Sequence, residues 1–138
     1  MEERGFLAPE TETVASEQYR ELGSAAQTVS RETAKAMGFD REEYRERVTS
    51  DVVETARDAL FASLLVVSVG TYEEFETFRE THPDLDVREN GSDNVDHAVW
   101  HVVPFADTVV VATYQNEPDA AVATLRRIVH GRFYSDVV

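Results

Sequence analysis

The sequence contains no cysteine and only one lysine, Lys35, beside twelve arginines. The first absence excludes disulfides, thiolate nucleophiles and cysteine-bound metal, and with them a disulfide-held scaffold or a redox site. Long apolar runs are also missing. The strongest, Leu64 to Val67 with its neighbours, falls far short of the roughly 18 residues needed to cross a membrane. The opening Met1-Glu2-Glu3-Arg4 lacks the basic stretch and apolar segment of an export signal. These absences predict a cytoplasmic protein with no membrane partner.

Positive charge is the other scarcity. Thirteen basic residues stand against twenty-seven acidic ones, a formal net charge of −14, and the acids run from Glu2 to Asp136 instead of gathering in a tail. Such a surface repels itself at low ionic strength, whereas near 1 M salt the Debye length falls to about 3 Å and the repulsion is screened. With lysine nearly lost while arginine and carboxylate are kept, the composition resembles that of the small acidic cytoplasmic proteins of haloarchaea. The resemblance implies a habitat in brine and no particular activity; the competing reading is an ordinary acidic cytosolic protein. In either case nucleic acid is opposed as a partner, because no surplus of cations exists to release counterions from phosphates.

What is present is enough to fold. Of the 138 residues, 42% are apolar and 9% aromatic, too many for a disordered chain. The length predicts one domain over 1–138, which would bury roughly 68–70% of the surface its unfolded chain exposes. Residues 1–11 are polar and expected to fray. From about Thr13 to Met37, the apolar or small residues Tyr19, Leu22, Ala26, Val29, Thr33 and Met37 recur at helical spacing and predict one long amphipathic helix. Gly38 then supplies a C-terminal stop, and Asp40 with Glu43 marks the start of a second helix. A helical hairpin over 13–60 follows, with a break at Thr49, Ser50 and Asp51, whose side chains compete for the backbone.

Residues 63–138 change period. Leu64 to Val69 reads as a buried strand ended by Gly70, and Thr71 with Glu74 opens a short helix that stops at Pro83. Leu85 to Glu89 reads as a strand, and the turn residues Asn90-Gly91-Ser92-Asp93-Asn94 predict a hairpin into the next. Val95 to Val103 and Thr108 to Tyr114 are β-branched and aromatic, and a last helix begins at Pro118 and ends near Gly131. The order ααβαβββα predicts an α+β fold, with a mostly antiparallel four-stranded sheet covered by helices on one face. The αβββα order of residues 71–131 resembles double-stranded RNA-binding domains. Their final helix opens with a lysine-rich turn, where this chain has Glu117-Pro118-Asp119, so no RNA-binding role carries over.

The candidate sites each have two readings. His97 and His101 share a strand face, but at about 3.3 Å per residue they lie roughly 13 Å apart and cannot share a metal ion. One of them acts as a general base, or both are ordinary sheet-face histidines. On the first reading, His101→Ala costs function and no more than about 1 kcal/mol of stability. Trp100 points to the opposite face. Arg126, Arg127, His130 and Arg132 form the one concentrated basic patch. It is either an anion site or a set of cations complementing a helix C-terminus. The Ser68–Thr71 turn reads as an anion-binding helix start or a simple cap. Asp84 with Asp86, and Asp93 with Asp96, read as hard-cation ligands or solvated surface. No metal site and no cofactor is expected. The leading functional reading is a non-enzymatic interaction or scaffold protein that self-associates, since the stripe of the 13–37 helix exceeds what a four-stranded sheet needs. The alternative is a binder of an anionic small molecule, or an enzyme, using the His97 and His101 face.

Overall fold

The computed structural model describes residues 1–92 and 95–138. Thr11 starts the first helix, α1 (Glu12–Glu21), by accepting from the Val14 N–H at 3.1 Å. The single helix expected over 13–37 is in fact two, α1 and α2 (Gly23–Ala36), because the chain breaks at Leu22 and Gly23. A Cβ at Gly23 would stand 2.7 Å from Nη2 of Arg57, so only glycine lets that arginine pass so closely. The break rotates the stripe: α2 buries the small residues Ala26, Ser30 and Ala34 and leaves Val29, Thr33 and Met37 outside. Gly38, at φ +75°, ends the unit, and the Asp40 carboxylate accepts from Glu43 N–H at 2.8 Å to start α3 (Arg41–Arg47). Thr49 caps α4 (Ser50–Leu64) and produces the expected break. Together α1 and α2 fold back on α4 as a helical hairpin.

The N-terminal segment, expected to fray, is paired with the sheet in the structure. Residues Glu2–Arg4 form strand β1, paired antiparallel with β2 (Val67–Thr71). Gly5, at φ +112°, then turns the chain so that Phe6 and Leu7 both donate to the Leu64 carbonyl at 2.8 Å, while Val66 donates to Leu7. The composition of 1–11 reads as loop because these ties are all backbone bonds, which carry no residue signature. The same contacts move the first expected strand: Leu64 completes α4, and β2 begins three residues later.

The fold is α+β, with a five-stranded mixed sheet where four mostly antiparallel strands were expected. Strand order is β1-β2-β4-β5-β3, with β3 at Asp86–Asn90, β4 at His97–Val103 and β5 at Thr108–Tyr114. The hairpin expected between β3 and β4 is absent, since β4 pairs with β2 and β5 while β3 runs parallel to β5 at the far edge. Strands joined through a helix run parallel. Helix α5 (Tyr72–Thr81) connects β2 to β3 across the face of β4, so β3 lands beyond β5, a split βαβ unit. Asp93 and Asn94 of the expected turn lie outside the described residues.

Helices cover both faces of the sheet, where one had been expected. On one face Phe75 of α5, with Tyr72 and Phe78 beside it, packs on Ala98, Trp100, Val109 and Val111. On the other, α1, α4 and α6 (Pro118–Val129) cover Val67, Val69, Val99, Val103 and Val110. The last α-helix ends at Val129, near the expected Gly131, but the winding of the chain does not end there. It widens into a π-type turn, His130–Tyr134, which carries the Tyr134 ring into the larger core.

Candidate functional site

Strand alternation puts His97 and His101 on the face under α6, with Trp100 on the opposite one, as the sequence predicts. Their environments then diverge. His97, half-buried near the start of β4, stacks on Tyr114 of β5 at 5.2 Å between ring centroids. His101 is 2% exposed and uses both nitrogens inside the core. Nδ1 lies 2.6 Å from the Val66 carbonyl and Nε2 lies 2.7 Å from the Tyr134 hydroxyl. A carbonyl only accepts, so Nδ1 carries the proton, and Nε2 accepts from Tyr134. Burial pushes the His101 pKa below its ordinary value; the Val66 bond opposes this and the nearby Arg126 charge reinforces it. The Tyr134 pKa is raised by burial. The ring therefore holds the core together, and its removal would leave a buried carbonyl and hydroxyl unpaired, costing more than the 1 kcal/mol expected of a surface base.

The basic patch is divided by the fold. Arg126, Arg127 and His130 line a cleft of about 420 Å³ between α6 and the C-terminal half of α4, whereas Arg132 is exposed on the π-type turn outside it. Alanines 59, 62 and 123 form much of the wall and keep it hollow. Arg126 is the best placed cation. Its Nε donates to the Leu65 carbonyl at 3.0 Å and its Nη2 to the Arg4 carbonyl at 3.2 Å, which fixes the guanidinium and ties α6 to β1. Burial, and then the charge of Arg4, lower its pKa. No carboxylate lies within ion-pair distance of Arg126 or Arg127 among the described residues. His130 sets its ring edge-on to Phe61 at 6.1 Å, with Nε2 enclosed and lacking a hydrogen-bond partner among the described residues.

Opposite the arginines stands Asp58, which accepts from the Tyr19 hydroxyl at 2.6 Å. Burial, the bond to Asp58 and that carboxylate's charge push the Tyr19 pKa up to about 12. Sequence reading missed this half of the cleft. Its residues on α4, Asp58, Ala59 and Ala62, carry no motif in the sequence that marks them as a site.

The other candidates resolve simply. At the Ser68–Thr71 turn the Thr71 hydroxyl accepts from Glu74 N–H and the Glu74 carboxylate accepts from Thr71 N–H, each at 3.0 Å, so the helix start is closed by its own side chains. The Thr71 backbone bond, followed by the Met1 ammonium at 2.9 Å, holds the Glu74 carboxyl below its usual range. Asp86 pairs with Arg88 at 2.9 Å. Among the described residues no cluster of three or more His, Asp or Glu is placed to hold a metal ion. Asp93 lies outside the described residues. No helix among those described is long and apolar enough to cross a membrane.

A second concavity, about 330 Å³, runs between α2 and the α3–α4 segment. Phe39, Val48 and Ala56 form its floor, and the rim carries Val29, Met37 and Val52, which are 44%, 65% and 43% exposed. The Arg47 guanidinium lies over the Phe39 ring at 5.3 Å.

Comparison with curated proteins and with solved structures gives no match. A family model does match residues 6–135, nearly the whole chain, and that family is described as a family of unknown function (DUF5809). The chain with the α4–α6 cleft and the apolar α2–α4 groove thus belongs to the DUF5809 family.

Proposed function

We propose that the protein works by association, with two copies meeting through the α2–α4 groove. The observation that carries this reading is the rotated stripe of α2, which buries Ala26, Ser30 and Ala34 and leaves the larger Val29 and Met37 at the rim. Such apolar groups gain nothing from water. Met37 is unbranched and flexible, and it borders the same groove that it would fill on a second copy, the reciprocal geometry of a two-fold interface.

Charge selects the occupant. Residues 29–52 hold five of the thirteen bases and six of the twenty-seven acids, a net of −1 out of −14. Elsewhere a like-charged copy is repelled, whereas here mixed signs such as Arg31, Glu32, Lys35 and Glu43 can pair across the axis. A cationic partner would be drawn to the remaining surface instead. The same reading takes the acidity as an accommodation to a salt-rich cytoplasm, where screening lets the copies approach.

Light scattering on the full chain in molar KCl tests the proposal. The expected mass is twice the 15.5 kDa of one chain, and Met37→Glu with Val52→Glu returns it to a single chain with an unchanged circular dichroism spectrum. A wild-type protein that scatters as one chain contradicts the reading.

A further inference from the structure

We infer that the α4–α6 cleft is a binding site for a small organic carboxylate that also carries an apolar body and a hydrogen-bond donor, the chemistry shared by apolar amino acids and hydroxy acids. The site is separate from the α2–α4 groove and does not rest on the self-association reading. Its volume, about 420 Å³, lies within the range of small-molecule pockets. Each part of the proposed ligand answers a part of the wall.

The carboxylate answers the arginines. Arg126 is held before any ligand arrives, because the Leu65 and Arg4 carbonyls fix Nε and Nη2 and leave Nη1 uncommitted among the hydrogen bonds found in the structure. A guanidinium fixed in this way loses little freedom on binding, and its Nη1 end can still donate to a carboxylate. Arg127, exposed at the rim, adds a second charge. The apolar body answers the methyl groups of Ala59, Ala62 and Ala123, which offer contact area without polar competition. The donor answers Asp58, whose carboxylate takes one hydrogen bond from Tyr19 and has further acceptor capacity. Asp58 also sets the charge limit. Two arginines and one aspartate leave a single net positive charge, which suits a monocarboxylate and opposes a phosphate dianion.

Calorimetric titration of the full chain with four probes reads this chemistry: phenylalanine, 3-phenyllactate, 3-phenylpropionate and phenethylamine. Phenylalanine or 3-phenyllactate is expected to bind, the first assigning the donor as ammonium and the second as hydroxyl. Phenethylamine, without the carboxylate, and 3-phenylpropionate, without the donor, bind at least about tenfold more weakly, the loss of one charged hydrogen-bonding group. Arg127→Gln weakens binding by a similar factor while its unfolding midpoint stays with the wild type. Ala62→Leu fills the hollow and abolishes binding. Absence of binding by both phenylalanine and 3-phenyllactate, equal affinity for all four probes, or an Arg127→Gln protein that binds as tightly as the wild type overturns the proposal.

Discussion

The hydroxyl of Tyr134 donates to Nε2 of His101 at 2.7 Å, across 33 residues of sequence, in a part of the core that water does not reach. The bond joins β4 to the π-type turn that follows α6 and fixes the tautomer that lets Nδ1 reach Val66. A histidine expected as a candidate base is thereby a buried structural link.

This pair makes stability depend on pH. In the unfolded chain the ring protonates below its ordinary value near 6.5, while burial keeps it neutral to lower pH in the folded protein. The unfolded state therefore binds more protons just below 6.5, and stability falls as pH drops through that window. Urea unfolding at pH 7.5 and 5.5 should show this loss in the wild type, with a smaller loss in His101→Leu. Tyr134→Phe, which leaves Nε2 without its donor, should cost about 1–3 kcal/mol at neutral pH. Parallel pH dependence in wild type and His101→Leu would assign the slope to other groups.

Gly5 decides whether β1 docks. At φ +112° a side chain is strained, and a Cβ there would stand 2.5 Å from the Leu65 carbonyl oxygen. Gly5→Ala should lower stability by about 1–3 kcal/mol. Amide exchange should show Phe6 and Leu7, whose N–H groups bond Leu64, losing protection first.

The smaller core offers a direct readout. Phe75 lies fully buried with its ring centroid 5.4 Å from that of Trp100, the one tryptophan in the chain. Phe75→Ala should cost about 3–5 kcal/mol and shift Trp100 emission even in the folded protein. An unchanged spectrum would mean that α5 does not cover this face in solution.

The salt reading has its own test. If the net charge of −14 is an accommodation to brine, the thermal midpoint rises from dilute buffer to molar KCl as like charges are screened. The same midpoint in both would turn attention to a basic partner.

Local chemistry was legible in the sequence, and long-range pairing was not. Asp40 and Thr71 announced their helices because a cap needs one side chain within three residues of the N–H it accepts, and Thr49 was legible only as part of a break. The His97 and Trp100 faces followed from strand alternation. The placement of β3 could not be read, because Asn90-Gly91-Ser92 looks like hairpin chemistry whether or not the next strand is its neighbour. That outcome depends on α5 crossing the sheet on Phe75 and Phe78, which is a packing fact. The break at Gly23 was hidden as well, since the close approach of Arg57 from another helix leaves no mark in the local sequence.

The candidate sites divide along the same line. Composition marked Arg126, Arg127 and His130 as a basic cluster, and the fold kept them together. It did not show Asp58 opposite them, because α4 and α6 are some sixty residues apart in sequence. The interior role of His101 was equally invisible, since Tyr134 reaches it only through the widened turn at His130–Tyr134.

The central claim, that two copies meet at the α2–α4 groove, can be tested on the unmodified protein through its scarcest residue. Lys35, the only lysine, lies on α2 between Thr33 and Met37 of the groove wall, and the Met1 amine is tied to Glu74 beside β1. A link between two Lys35 side chains must join two molecules. Treatment with a short amine-reactive cross-linker in molar KCl, followed by peptide mass spectrometry, should give the Lys35–Lys35 product, and Met37→Glu with Val52→Glu should abolish it. Recovery of Lys35 only as singly reacted, unlinked peptide would contradict the account.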